Sequence, residues 1–358
     1  MGPPGRFPFE QWYLAGKSLD YPPGSKKAHE ICGIPLVIWR SASKKLSALV
    51  DRCPHRSAPL SEGRVEGDRI VCPYHGQAFS SSGECVHIPG SKKETFARAA
   101  SAKKLFVAEQ QGLVWVYISQ NDQLAEPSKP PYHFPHLGEK AYFSGGFVRE
   151  YEGFFMDGVE NSADTVHTGF VHKGLFYSEK DARTIDLEIR SYQEEHYDGV
   201  EAIYHGEKES NSFLSRLIFG KPDPNAEAYH GERFIAPCIH QVEYRMGAIG
   251  HVFANVIYTP VNENKSIITM LYNIRSYWLG RRMSFMVKRL LKKVVEQDVS
   301  ILNLQHANRK KHSQGREVSN ETDMMALEAR KLLDQLCAHP GHRITAPKSK
   351  RIKLFINQ

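Results

Sequence analysis

The chain has 358 residues, 41% of them hydrophobic and 24% charged, with a formal net charge of +7 at pH 7. That length can bury a sizeable core in two domains, or in one domain carrying an insertion, so stability does not call for disulfides, and six scattered cysteines point to a reducing, cytoplasmic compartment. No apolar run approaches the ~18 residues that span a bilayer, and the moderate charge, spread along the chain, argues against nucleic acid as the partner.

In chain order, Met1 to Glu10 carries no apolar run, and Gly2 lacks a myristoylation pattern because Arg6 stands where Ser or Thr is needed. Short β-rich runs follow at Pro35–Arg40, Leu46–Val50, Arg69–Cys72, Glu84–His87 and Leu113–Ile118, punctuated by Gly33, Gly67 and Gly83. This pattern predicts a small antiparallel β domain over residues 1–125. The Pro-rich run Pro127–Pro135 reads as a linker into a second domain, 126–358. There, Phe147–Phe155 and the stretches 186–205, 230–259 and 266–277 predict one antiparallel sheet. Gly206–Arg233 reads as a polar excursion between strands. Helices are predicted at about 280–305 and 321–337, the second started by Ser319 or Asn320. Basic clusters at Arg281–Lys293, Arg309–His312 and Lys348–Lys353 read as solvated helix faces or a docking surface for an acidic redox partner.

Two sets of residues carry chemistry. Cys53-Pro54-His55 and Cys72-Pro73-Tyr74-His75 are separated by sixteen residues, giving two thiolates and two imidazoles on two turns joined by a hairpin. In a Rieske [2Fe-2S] centre two cysteines hold one iron and two histidines the other. A Cys2His2 zinc ion has the same ligand count, but zinc fingers place their histidines together after their cysteines, whereas here the two alternate. Pro54, Pro73 and Gly76 suit sharp turns around a cluster.

The second set begins at Asp164-Thr165-Val166-His167 and continues to His172. On a helix His167 and His172 would diverge by about 140°, so both can reach one metal only if the helix breaks between them, and Gly169 is placed to do that. A non-haem Fe(II) site of the two-histidine, one-carboxylate type needs one acid more. Asp298 shares a helical face with Leu291, Val294, Val295, Ile301 and Leu302, while Glu296 shares one with Lys292, Lys293 and Ser300, so Asp298 is the choice. His87, His133, His136, His196, His240 and His306 have no ligand-spaced neighbours and read as surface or hydrogen-bonded core residues. The remaining cysteines read as small buried fillers.

The chain resembles the Rieske non-haem iron oxygenases, specifically the alpha (terminal oxygenase) subunit. Cys53-Pro54-His55-Arg56, Cys72-Pro73-Tyr74-His75-Gly76, Trp12-Tyr13 and Gly112-Leu113-Val114-Trp115-Val116 carry the likeness. Gln77 departs from it, since family members very often carry tryptophan there. The resemblance implies an α+β fold: an N-terminal all-β Rieske domain, then a helix-grip (START-like) antiparallel sheet with a long C-terminal helix. It agrees with Asp298 as the late acidic ligand. It also implies that Asp164 bridges His167 to His75 of a neighbouring subunit in a homotrimer, because the two metals of one subunit are too far apart for efficient tunnelling. Asn161 is a candidate to face the iron, with a helix-surface or capping role as the alternative.

By the same likeness, electrons from NAD(P)H arrive through a separate ferredoxin or flavin reductase, since no nucleotide-binding glycine pattern occurs here. O2 is then used to hydroxylate or oxidatively demethylate a small organic substrate. The single-chain form resembles the monooxygenase and demethylase branch, and it lacks the C-terminal cysteine pair of plant pheophorbide-type enzymes. Phe234, Phe253, Tyr258 and Tyr272 are candidates to line an apolar pocket. Ring cis-dihydroxylation is the alternative chemistry, and a Rieske electron carrier without a second iron is the alternative class.

Overall fold

The computed structural model describes residues 7–92, 100–120, 126–164, 166–172, 183–194, 196–206, 228–246, 250–276, 284–312, 317–341 and 349–356. The myristoylation positions Gly2 and Arg6, the centre of the Gly206–Arg233 excursion, and Arg281 and Lys348 of the basic clusters lie outside the described residues. The chain divides into two compact units, one of residues 1–133 with Pro260–Asn262, the other of Phe134–Thr259 with Glu263–Gln358. The division falls inside the Pro127–Pro135 run.

The described residues of the first unit form ten short strands: β1 (Gln11–Lys17), β2 (Lys26–Ile31), β3 (Ile34–Arg40), β4 (Leu46–Val50), β5 (Arg64–Glu66), β6 (Arg69–Val71), β7 (Ala78–Phe79), β8 (Cys85–His87), β9 (Lys104–Gln110) and β10 (Leu113–Ile118). They form an antiparallel sheet ordered β1-β10-β9-β4-β3-β2 and a smaller one ordered β5-β6-β7-β8. The continuous apolar run of β10 is buried at every position, as expected of a strand covered on both faces. Trp39, Leu49, Leu60, Ile70 and Phe79 pack around Cys53 and Cys72, so the loops bearing these cysteines are rooted in core.

In the second unit β11 (Phe143–Glu152) leads to the helices α1 (Phe155–Ala163) and α2 (His167–Val171). Then follow β12 (Arg183–Gln193), β13 (Asp198–His205), β14 (Tyr229–Ile235), β15 (Ile239–Met246), β16 (Gly250–Asn262) and β17 (Lys265–Arg275), the helices α3 (Ser284–Lys311) and α4 (Met324–Ala338), and β18 (Ser349–Ile356). One sheet results, in the order β11-β17-β16-β15-β14-β13-β12-β18. The stretch read as 186–205 holds two strands, β12 and β13, and the stretch read as 230–259 holds three, β14, β15 and β16. Val287 of α3 packs with Tyr272 and Ile274 of β17, with Leu291 beside them. Asn320 caps the turn leading into α4, its side chain accepting from the Thr322 N–H at 2.8 Å.

Three expectations are corrected. Ile301 does not share the buried stripe of α3: it is 42% exposed, whereas Val287, Val295 and Leu302 are buried at spacings of eight and seven residues. Phe253 packs against His136 and His251, and strand alternation puts it on the opposite face of β16 from Tyr258. The basic run near Lys348–Lys353 is no helix face; its described part lies in β18, which pairs with β12, and Arg351 holds Asp186 through two nitrogens at 2.8 Å. Pairing partners 165 residues apart leave no local trace in the sequence.

Candidate metal centres

Cys53 and His55 lie in the loop after β4, and Cys72 and His75 in the loop between β6 and β7. Each loop is closed by its own backbone: the Cys53 N–H donates to Ala58 O and the Ser57 N–H to Cys53 O, at 2.8 and 2.9 Å, while the Cys72 N–H donates to Gln77 O at 2.8 Å and the Gly76 N–H to Cys72 O at 3.2 Å. Gly76 takes φ +67°, and a Cβ there would also press on Pro89 at 3.1 Å, so the turn favours glycine. The two thiols are buried and the two imidazoles exposed, with the His55 and His75 rings 4.6 Å apart. Burial pushes the Cys53 thiol up, and the backbone N–H groups of His55 and Arg56 pull the other way, aimed at the sulfur as donors to a thiolate would be.

This donor set fits a cluster and not a single ion. Among the described residues only His167, His172 and Asp298 bring three donor atoms within 4.8 Å of one another. Four ligands of one tetrahedral zinc ion, with bonds of about 2.0–2.3 Å, would be closer than that. Buried sulfurs on one side and exposed imidazoles on the other suit two irons with different ligands, the histidine iron at the surface.

In the second unit α1 ends at Ala163, and Asp164 leaves the helix with extended backbone (φ −95°, ψ 104°). The break that separates the two histidines falls at His172, the C-cap of α2, and not at Gly169, which lies inside that helix. A new helix needs partners for its first N–H groups, and Asp164 Oδ1 accepts from Val166 N at 2.8 Å and His167 N at 3.4 Å. The Asp164 carbonyl in turn accepts from His167 Nδ1.

Both histidines then present Nε2 to one carboxylate oxygen. Asp298 Oδ1 lies 3.5 Å from His167 Nε2 and 3.2 Å from His172 Nε2. Cis ligands on bonds of about 2.1 Å would stand ~3 Å apart, so the three atoms are close to a coordination face. The other ring nitrogen of His172 donates to Gln297 Oε1 at 3.1 Å, and Asn161 Nδ2 donates to Asp298 Oδ1 at 3.1 Å. Such partners select the tautomer that leaves Nε2 for a metal. Burial alone would raise the Asp298 carboxyl, but hydrogen bonds from His167 and His172 outweigh it and hold it down at about 2. Burial likewise opposes a charged His167, yet Asp298 raises its pKa. Burial pushes the Asp164 carboxyl up. Glu296 points away, 56% exposed and paired with Arg149 at 2.7 Å.

Sequence reading missed Gln297 and the pair Ser162–Tyr258, whose hydroxyls meet at 2.6 Å one residue from Asn161. Gln297 adjoins Asp298, so its only signal was proximity to a ligand. Tyr258, read only as a candidate pocket-lining side chain, comes from a strand 96 residues away, so its contact with Ser162 left none.

Comparison with known proteins agrees with both halves. The family model of the Rieske [2Fe-2S] domain matches residues 11–109, and that of the vanillate O-demethylase oxygenase C-terminal domain matches residues 158–339, half of the chain. The iron-sulfur subunit of the toluene-4-sulfonate monooxygenase system of Comamonas testosteroni is 32% identical over 45% of this chain and 45% of its own length. The oxygenase component of dicamba O-demethylase from Stenotrophomonas maltophilia is 32% identical over 45% of this chain and 47% of its own length. The matches thus span about half the length of these curated relatives. Crystalline dicamba monooxygenase bound to 3,6-dichlorosalicylic acid superposes with a TM-score of 0.78 at 21% identity, covering 94% of this chain and 100% of that one, which establishes the shared fold. No helix among the described residues is long and apolar enough to cross a membrane. With cysteine–histidine loops in a Rieske domain and an oxygenase C-terminal domain behind it, the chain belongs to the Rieske non-haem iron oxygenases.

Proposed function

We propose that the chain is the terminal oxygenase component of a multi-protein monooxygenase, hydroxylating or oxidatively demethylating a small organic substrate. The convergence of His167, His172 and Asp298 on one ion-sized position carries this reading, since an electron carrier has no use for it. When bound, the cluster and the ferrous ion supply one-electron storage and O2 reduction respectively. Cys53 and Cys72 would hold one iron of the cluster, His55 and His75 the other. His167, His172 and Asp298 would hold the mononuclear iron. Gln297 and the Asp164 carbonyl keep each imidazole proton on Nδ1, and Asn161 steadies the carboxylate. Asp164 would also take the partner subunit's His75 in a homotrimer, joining the two centres across the interface. Electrons would come from NAD(P)H through a separate flavin reductase, with or without a ferredoxin, in the cytoplasm.

Iron and acid-labile sulfide analysis tests the reading. Roughly three irons and two sulfides per chain are expected, together with O2 uptake that depends on substrate. Two irons and two sulfides would overturn it in favour of a carrier, and zinc without sulfide would overturn both centres.

A further inference from the structure

A second group of titratable side chains lies in the sheet of the oxygenase unit, of which the sequence reading named only His240, as a surface or hydrogen-bonded core residue. His230, Glu232 and His240 are 1%, 6% and 1% exposed. Glu232 Oε1 is 3.2 Å from His230 Nε2, and Glu232 Oε2 is 3.6 Å from His240 Nε2, too far for a hydrogen bond. The His230 ring is clamped between Tyr204 and Tyr244, with centroids 3.9 and 4.2 Å away and interplanar angles of 7° and 22°.

The register places this cluster on the face that holds the candidate iron site. His230 and Glu232 alternate along β14, opposite Tyr244 and Val242 of β15, and His240 lies opposite Phe234. On its other side His240 lies opposite Val256 of β16. Residues directly opposite share a face, as do residues two apart, so Tyr258 belongs to the same face. Tyr258 meets Ser162 of α1 at 2.6 Å, beside Asn161, which holds Asp298.

The cluster keeps buried polar atoms that no described residue fills. Burial would push the Glu232 carboxyl up, but His230 and His240 outweigh it and hold it at about 2. A carboxylate oxygen has two lone-pair sites, and each here has one histidine nitrogen near it. Among the described residues neither ring nitrogen of His240 has a hydrogen-bond partner, and Glu232 Oε2 has none either. A buried carboxylate with spare acceptor capacity repels anions and lowers its own desolvation penalty by taking a donor.

We propose that Glu232 and His240 form the polar anchor of the substrate pocket, taking the protonated nitrogen or hydroxyl donor of a non-anionic substrate and rejecting carboxylates. This rests on the oxygenase reading of the same site. Calorimetric titration of the metal-loaded full chain with benzylamine, benzyl alcohol and benzoate, probes of one ring size, tests it. Benzylamine should bind at least ~tenfold tighter than benzoate, with benzyl alcohol between them, and Glu232→Gln should bring the ratio to within about threefold while iron and sulfide contents stay unchanged. Benzoate binding as tightly as benzylamine, no benzylamine binding at millimolar concentration, or a metal-replete Glu232→Gln protein with the wild-type ratio would overturn the assignment. Should that variant fail to fold, the wild-type ranking decides by itself. A wild-type chain holding only two irons would overturn the oxygenase reading instead, whereas a three-iron chain that prefers benzoate overturns only the anchor.

Discussion

Replacing Gln297 with leucine removes the acceptor that lies 3.1 Å from His172 Nδ1 while keeping the bulk of the side chain. His172 is 2% exposed, so water has little access to the N–H left behind. Leaving a buried donor unpaired costs about 1–3 kcal/mol, and part of that is avoided if the ring turns, which withdraws Nε2 from Asp298, or changes tautomer, which puts the proton on Nε2 where a metal needs a lone pair. Both routes weaken metal binding, by about 10–100-fold, the range found for partners that orient a ligating histidine. The assay is anaerobic titration of the mononuclear-iron-depleted, cluster-intact protein with Fe(II) in the presence of a competing chelator. Gln297→Glu retains an acceptor and should bind Fe(II) at least as well as wild type. Equal affinities for Gln297→Leu and wild type would refute the reasoning, as would a Gln297→Glu protein as weak as the leucine variant.

Asp298→Ala should empty the mononuclear site and abolish turnover while leaving the visible spectrum of the cluster intact, checked by iron analysis and absorbance. In the metal-free protein the Asp298 carboxyl sits at about 2, below its unfolded value, so its contribution is complete above pH ~4 and is lost as pH falls towards 2. The difference amounts to about 2 kcal/mol, and urea unfolding of wild type against Asp298→Asn at pH 5 and pH 2.5 should show a gap that closes in acid. Gly158→Ala would drive a Cβ to 2.3 Å from the Tyr258 ring and 2.6 Å from Tyr151 Oη. It should destabilise the oxygenase unit by about 1–3 kcal/mol in denaturant without altering the cluster spectrum. Gln77 holds its side-chain amide 4.0 Å from Cys53 Sγ. Once Cys53 is a ligated thiolate the sulfur can only accept, so the amide must turn its NH2 to it, and Gln77→Leu should lower the cluster's reduction potential in a redox titration.

Spacing along the chain was enough for the donors themselves. Cys53, His55, Cys72 and His75 stand in two tight turns whose geometry depends on nearest neighbours, and β4, β6 and β10 follow from short apolar runs bounded by turn residues. The choice of Asp298 over Glu296 needed only helical periodicity, because α3 is long and one side of it is buried. The same periodicity erred at Ile301, where the stripe is narrower than a count of apolar residues suggests. It also erred at Gly169: a glycine can end a helix without having to, and α2 runs through it to Val171 before the chain leaves the helix at His172.

What no local pattern could supply is whatever depends on strand partners. The β18–β12 pairing, the Ser162–Tyr258 contact and the His230–Glu232–His240 cluster arise from register between segments far apart in the chain, and a shift of one residue would turn each of these side chains to the other face. The sequence by itself singled out the residues that could hold metal. Tertiary structure alone decided which imidazole nitrogens of His167 and His172 face Asp298, since that depends on Gln297 and the Asp164 carbonyl, and which polar groups share a sheet face with them, since that depends on how the strands are aligned.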